Sequence, residues 1–416
     1  MQIYNRATWR ASAALIFILS SSLPLRSEPI TISEAIHRAS DSSPTVVQAQ
    51  GSVAAAEARA RQAGVRLNPE LGLAVESFAG TGPYRGFNEA ETTLSVSQRF
   101  ELGGKRAARR ELAEADLLTA QLSLLQARTD AVGDARSRFA ELSVARDRLQ
   151  LAREAEARAR ELARIVGILV DAGREPPLRA LRAQAAAAEA EATRRAAEAN
   201  LGQAASALAS VLGQADVLLE AEGTYDLPNS GAVRPIAAAP TDFSEGAPLP
   251  VRLALAERDA ALARLRLQQA AAVPDITGDL GVRRFEATRD VALFAGLSVP
   301  IPIADRNRNA VQAARIEIQL ADARLAQARI ENVRKVRDAH SALTAAIARV
   351  DALQNSGLNQ AREAVRLANI GYRAGKFSLL ELIDAQDALN QAESALLDAR
   401  LARAQAAATL EKVVAQ

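Results

Sequence analysis

The chain has 416 residues, no cysteine, and 51 lysines and arginines against 49 acidic residues. This near balance gives no broad positive field of the kind that nucleic-acid binding needs, so we expect no nucleic-acid partner. The lack of cysteine excludes disulfides, thiolate metal sites and cysteine nucleophiles. The sequence also has no nucleophile elbow, no H-E-x-x-H and no phosphate-binding loop. We therefore predict a protein that is not an enzyme and has no cofactor.

The first 27 residues have the pattern of a secretory signal peptide. Arg6 and Arg10 precede a short apolar run at 11–19, and small residues follow up to Ser27. We place cleavage near Ser27–Glu28, and the alternative is a buried N-terminal helix. The run is too short to span a bilayer, which takes about 20 residues. No later stretch approaches 18 uninterrupted apolar residues, so a membrane-inserted mature chain would have to enter as a β-barrel.

The rest of the chain is an internal duplication. Matching prolines and glycines recur at nearly fixed offsets, of 206 residues for Pro44 and Pro250, and of 202 for Gly173 and Gly375. This predicts a first repeat at 28–213, a linker rich in glycine and proline at 214–247, and a second repeat at 248–416.

Each repeat contains two segments in which apolar and polar residues alternate. The segments cover about 69–79 and 91–102 in the first repeat, and about 274–285 and 290–303 in the second. Their length and period fit tilted transmembrane strands, although a half-buried sheet of a soluble protein gives the same alternation. As transmembrane strands, they would turn one set of side chains to lipid: Leu71, Leu73, Val75, Leu94, Val96, Leu293, Ala295, Leu297 and Val299.

Long helical runs follow each strand pair. No proline interrupts Gly104–Val170 or Asp305–Tyr372, which predicts two helices of about 67 residues, roughly 100 Å each. Heptad spacing of apolar residues in both runs indicates coiled-coil packing. His340 falls on such a seam, where packing is a better explanation than metal binding. Glycine-containing breaks at about 171–177 and 373–378 predict the tips of two helical hairpins.

Four strands are too few to close a barrel, since small barrels have about eight. Open sheet edges in lipid would leave backbone groups unpaired. If the strands cross a membrane, several chains must therefore share one barrel, and the long helices would continue it as a tube.

Four motifs resemble the TolC-like outer membrane factors, and the likeness spans essentially the whole mature chain. Residues 30–39 (ITISEAIHRA), followed by Pro44, resemble the family's N-terminal signature. Residues 371–386 (GYRAGKFSLLELIDAQ) are similar to its second hairpin tip. Residues 100–106 (FELGGKR) and 298–307 (SVPIPIADRN) are similar to the heavy-metal efflux, CzcC-like branch.

The resemblance implies a mainly α fold with a small β part. A homotrimer would form a 12-stranded transmembrane β-barrel, four strands per chain, on a long α-helical coiled-coil barrel in the periplasm. The chain would be a passive outer-membrane conduit that carries heavy-metal cations from a periplasmic adaptor (membrane fusion) protein and an inner-membrane pump of the resistance-nodulation-division class. Many such channels carry a lipid on a cysteine, which a chain without cysteine cannot do.

The resemblance also implies roles for residues at the second tip. Glu381 and Asp384 match positions where the family places acidic rings at the periplasmic entrance, and a trimer would bring three copies of each together. However, residues 378–381 also form the sequence of a helix capping box, which explains Glu381 without a channel. Adaptor docking is expected at five residues of the two tips: Gly173, Arg174, Tyr372, Gly375 and Lys376.

Three alternatives remain open. The channel could serve multidrug export or type I secretion, because pump and adaptor select the cargo. A periplasmic coiled-coil adaptor would explain the helices, although it would have one hairpin instead of two strand–helix repeats. A soluble enzyme with a helical core is disfavoured, since no catalytic group of residues is recognisable.

Overall fold

A computed structural model describes residues 27–214, 218–222 and 247–414. The predicted signal peptide up to residue 26 and most of the predicted linker lie outside these residues. The strands within them are β1 (Ser27–Ile30), β2 (Glu70–Glu76), β3 (Glu91–Phe100), β4 (Leu218–Ala221), β5 (Ile276–Phe285) and β6 (Val291–Ser298). The helices within them are α1 (Ile32–Ser42), α2 (Pro44–Ala63), α3 (Lys105–Asp171), α4 (Pro177–Val211), α5 (Leu249–Ala271), α6 (Arg308–Ala352), α7 (Leu358–Arg373) and α8 (Leu379–Val414).

The duplication predicted from the sequence appears as two copies of one order of elements. In the first copy α2 leads into the hairpin β2–β3, then α3 and α4 form a long helical hairpin. In the second copy α5 leads into β5–β6, followed by α6, α7 and α8. The four long strands join into one antiparallel sheet in the order β2–β3–β5–β6. The two copies therefore share a single sheet, and the long helices of both copies follow its strands.

The long helices differ between the copies. Helix α3 is continuous over 67 residues, about 100 Å at 1.5 Å per residue. Its counterpart is interrupted by a π-helical turn at Leu353–Gly357, so the prediction of one unbroken helix up to Tyr372 was wrong. Asn355, Ser356 and Gly357 are poor helix formers, which makes the turn a weak point of the α-helix. Among the described helices, none is both long and apolar enough to cross a membrane.

The largest cluster of buried side chains among the described residues lies where the N-terminal segment packs on the middle of α3 and the end of α4. Strand β1 pairs in parallel with β4, which lies within the segment predicted to be a linker. Ile30 and Leu219 of this ribbon are buried with Phe139 and Leu142 of α3 and Leu208 of α4. This cluster ties the first residues described to the long hairpin.

The four-stranded sheet has one apolar and one polar face. Leu73, Leu94, Val282 and Leu293 lie opposite one another on successive strands, and each is at least 41% exposed. A row of exposed aliphatic side chains across four strands needs a covering in the assembled protein. The residues predicted to face lipid belong to this exposed set or continue it.

The polar face is held together by side-chain interactions across strands. Arg283 of β5 donates to Glu91 at 2.9 Å and to Thr93 at 3.0 Å. Its guanidinium also lies 5.9 Å from the ring centroid of Phe294, a cation–π contact. Alternation between the faces follows from the period of two along each strand, so a single register determines which face is polar.

Candidate functional site at the hairpin tips

The two hairpin tips have the same backbone design. The N–H of Arg174 donates to the carbonyl of Leu169 at 2.8 Å, and that of Lys376 donates to Gly371, also at 2.8 Å. In each case the preceding glycine, Gly173 or Gly375, has a φ near +70°. This is the Schellman ending of a helix, in which a left-handed residue closes the last turn. Gly173 and Gly375 thus supply the left-handed geometry that each turn requires.

The tips pack against each other within one chain. Val166 of α3 and Ala183 of α4 are buried with Ala368 of α7 and with Leu379 and Leu382 of α8. The two hairpin ends therefore form one unit, and a residue near either tip is positioned by both hairpins.

Tyr372 lies at the contact between the tips and is only partly exposed. Burial raises the pKa of its phenol, and the nearby Glu175 carboxylate adds to the shift. Its hydroxyl is buried and has no hydrogen-bond partner among the described residues. Arg174 and Lys376, by contrast, are exposed at equivalent positions of the two turns. Of the docking residues predicted from the sequence, these two charged side chains are accessible in the single chain, and Tyr372 mainly contacts the other tip.

Glu381 is held by the helix end at which it lies. The backbone N–H of Ser378 donates to its carboxylate at 2.6 Å, and its own N–H donates to the Ser378 hydroxyl at 3.3 Å. This reciprocal pair is a capping box. Donation from Ser378 holds the pKa of Glu381 below its ordinary value, so the carboxylate stays ionised.

Asp384 is exposed and has a second carboxylate one helical turn away, which sequence reasoning missed. The pKa of Asp387 is raised, first by burial and then by the charge of Asp384. Asp387 lines a groove between α3, α4 and α8, together with Glu189 and Arg158. Spacing of three on a helix was the available signal. The structure pairs Asp384 with Asp387, and it gives Glu381 a separate capping role.

Charged residues at the tips are inverted between the two copies. Glu381 of α8 corresponds to Arg179 of α4 at the offset of 202 residues that relates the tip glycines, and Asp384 corresponds to Arg182. Arg179 forms an ion pair with Glu175. The first tip thus presents arginines where the second presents carboxylates, so the two hairpins are not interchangeable.

Comparison with known proteins identifies the chain. The family model "Outer membrane efflux protein" matches residues 35–214 and 250–416, which covers both copies and leaves out the segment between them. The chain belongs to the outer membrane efflux protein family. The resemblance inferred from the tip and junction motifs is therefore confirmed.

Individual relatives agree with this assignment. The cobalt-zinc-cadmium resistance protein CzcC of Cupriavidus metallidurans is 31% identical over 93% of this chain and 90% of its own length. The nickel-cobalt-cadmium resistance protein NccC of Alcaligenes xylosoxydans is 32% identical over 69% of this chain and 64% of its own length. A solved structure of CusC, 20% identical, superimposes with a TM-score of 0.78 over 92% of this chain and 91% of that one. The expected TolC-like fold, mainly helical with a small sheet, is confirmed, and this member of the family is an outer-membrane efflux channel.

Proposed function

We propose that the chain is the outer-membrane channel of a heavy-metal efflux system, a passive conduit for divalent metal cations. The observation that carries the proposal is the 31% identity to a cobalt-zinc-cadmium resistance protein over nearly the full length of both chains. The conduit itself needs no catalytic group, because an upstream pump would supply the energy.

Trimer formation is part of the proposal. The outer strands β2 and β6 each have one unpaired edge in the single chain, and unpaired backbone groups in lipid cost several kcal/mol each. Three chains joined edge to edge would give a closed 12-stranded barrel with no free edge. The exposed row through Leu73, Leu94, Val282 and Leu293 would then face lipid, and the face carrying Arg283 would face the lumen.

The helical hairpins would extend from this barrel into the periplasm and end at the tips. Arg174 and Lys376, exposed at equivalent turns, are suited to contact a periplasmic adaptor protein that links the channel to an inner-membrane pump of the resistance-nodulation-division class. Gly173, Gly375 and Tyr372 would contribute by fixing the shape of the two turns.

The acidic residues near the second tip would govern the entrance. Symmetry would bring three copies of Asp384 around a narrow mouth, and rings of carboxylates attract cations. Asp387 lies one turn further along α8, so each chain would offer two successive carboxylates. Glu381 would add negative charge at the mouth while it continues to cap its helix.

A growth assay tests the proposed cargo. The gene would be deleted in its host and restored on a plasmid, and growth would be measured in cobalt, zinc, cadmium and a panel of dyes and detergents. We expect the deletion to lower tolerance to the metals only. Loss of tolerance to dyes and detergents with unchanged metal tolerance would favour a multidrug channel, and no loss of either would contradict the proposal.

Cross-linking in mild detergent tests the proposed trimer. It should stop at three chains, and a monomer that stays soluble without detergent would contradict the trimer.

A further inference from the structure

A basic cavity lies at the junction where the sheet ends and the first long helix begins. Its volume is about 520 Å³, and its lining includes Arg66, Leu67, Arg99, Phe100, Arg106 and Arg110. Glu101 is the one carboxylate of the lining, and it forms an ion pair with Arg109. Lys105, also in the lining, forms an ion pair with Asp275, which lies outside it. Among the described residues, no carboxylate forms an ion pair with Arg66, Arg99 or Arg106. The cavity therefore has a strong net positive charge.

The start of α3 adds to this positive field. Gly104 precedes the helix in a left-handed conformation, and no side chain caps the first turn. The first turn contains no acidic residue either. Gly104 and Arg106 line the cavity, so the free N–H groups of a 67-residue helix lie beside its arginines. Free N–H groups and the helix dipole both favour an anion at this end.

The cavity adjoins the apolar face of the sheet. Phe100 continues the row of Leu94 and Val96 along β3, since residues two apart share a face. Phe100 is 55% exposed, and Leu67, also in the lining, is 40% exposed. A ligand held here would therefore meet cations at one end and exposed apolar side chains at the other. That combination suits an amphiphile with an anionic head.

The corresponding junction of the second copy is built differently. Asp305 accepts from the backbone N–H of Asn307 at 2.9 Å, just before α6. The Asn307 side chain donates to the carbonyl of Gln268 at 2.7 Å. Helix α6, like α3, follows a left-handed residue and has no side-chain cap, so the difference lies in these side-chain contacts. Arg306 and Arg308 lie at this second junction, which provides a matched control at the same level of the molecule.

We propose that the cavity of the first copy binds the phosphate of an anionic phospholipid of the membrane leaflet nearest the helices. Arg66, Arg99 and Arg106 would hold the phosphate, and the acyl chains would lie along Phe100 and the apolar face of the sheet. Interfacial arginines and basic pockets are the usual means of recognising such lipids. This inference rests on the proposed membrane position of the sheet.

Native mass spectrometry of the purified channel in neutral detergent tests the site. Phosphatidylglycerol and phosphatidylcholine would be titrated separately, and inorganic phosphate would serve as a soluble competitor. We expect tight binding of phosphatidylglycerol, weaker binding of phosphatidylcholine, and no displacement by millimolar phosphate. In the Arg66→Gln/Arg106→Gln variant, phosphatidylglycerol should bind about thirtyfold more weakly, since each interfacial arginine contributes roughly fivefold. The Arg306→Gln/Arg308→Gln variant should bind as the wild type does.

Several results would overturn the inference. Equal loss in both double variants would mean that general surface charge is responsible. Unchanged binding in the Arg66→Gln/Arg106→Gln variant, or binding of phosphate alone that displaces the lipid, would exclude a lipid site in this cavity. If that variant does not assemble, Arg66→Gln alone should still weaken binding about fivefold, and no weakening would refute the site. Metal tolerance in the growth assay is a separate readout, so failure of the lipid site and failure of the proposed function are distinguishable.

Discussion

The ring of Phe377 lies directly against the backbone of Gly371. A Cβ added to Gly371 would overlap the ring of Phe377, and the N–H of Phe377 donates to the carbonyl of Gly371 at 3.2 Å. At the second tip, the chain therefore turns after α7 so that the ring of Phe377 packs against Gly371 of that helix. No comparable contact meets a Cβ at Gly167, in the α3 helix of the first hairpin.

We predict that Gly371→Ala destabilises the second tip. Overpacking against Phe377 should cost about 1–3 kcal/mol, which outweighs the roughly 0.5–1 kcal/mol that alanine gains over glycine in a helix. Hydrogen exchange should report faster opening of residues 366–384 in this variant. Gly167→Ala is the matched control and should be neutral or stabilising. Equal protection at the tip in both variants would contradict the packing argument.

A second prediction concerns the apolar face of the sheet. Leu94→Arg and Leu297→Arg should each cost about 2–4 kcal/mol if these side chains face the middle of the bilayer. The yield of heat-resistant oligomer extracted from membranes measures this cost. Ser298→Arg provides the control, because it lies next to Leu297 along β6 but on the opposite face. Normal assembly of both leucine variants would show that the face is not in lipid.

The acidic entrance leads to a third prediction, for which Asp384 is the decisive residue. Asp384→Asn should weaken cation selectivity in single-channel recordings, seen as a smaller reversal potential in a salt gradient. Glu381→Gln should chiefly loosen the start of α8, because the capping box with Ser378 weakens. A variant with both substitutions should lose the most selectivity.

The opposite pattern is equally informative. If Asp384→Asn leaves conductance and cation block unaltered, the carboxylates do not line the entrance. Glu381 would then act only in capping its helix.

Asp387 gives a fourth prediction, on pH. Its pKa is raised in the folded state by burial and by Asp384, so the folded protein binds this proton more tightly than the unfolded chain does. Stability should therefore fall as the pH rises from the unfolded pKa through the higher folded pKa. Arg158, Arg148 and Glu189 line the same groove.

Asp387→Asn removes the ionisation and should raise the melting temperature at pH 7 while flattening its dependence on pH between about 4 and 7. Asp398→Asn is the control, because Asp398 of the same helix pairs with Arg148 and should not gain stability. An Asp387→Asn variant with an unchanged pH profile would mean that the carboxyl is better solvated than its position suggests.

Much of the fold was predictable from local patterns in the sequence. Glycine marks both hairpin tips, with prolines beside the first, and the period-two alternation marks the strands, since both signals are local and strong. The ribbon of β1 and β4 was missed because β4 is four residues long and lies in a segment rich in glycine and proline. Its pairing with Ile30 is a long-range contact that no local pattern reports.

The candidate site was less predictable, because its details depend on how the two hairpins pack. The positions of Glu381 and Asp384 on one helix followed from spacing. The place of Asp387 in its groove and the burial of the Tyr372 hydroxyl depend on side chains of the other hairpin, far away in sequence. The basic cavity escaped notice for the same reason, since Arg66 and Arg106 are brought together only by folding.

The π-helical turn changes how the second long helix must be counted. Before this turn in the sequence, apolar residues recur every seven positions at Val336, Leu343 and Val350. After it, Leu358, Val365 and Tyr372 have the same spacing. None of the six is fully exposed. The step across the turn, from Val350 to Leu358, is eight. The extra residue in the π-helical turn rotates the following residues by about 100° around the helix axis. The part of the helix near the sheet and the part near the tip therefore each keep their own packing face. Removing one residue there, or adding one, would rotate the entire tip relative to the sheet while leaving every local sequence motif intact.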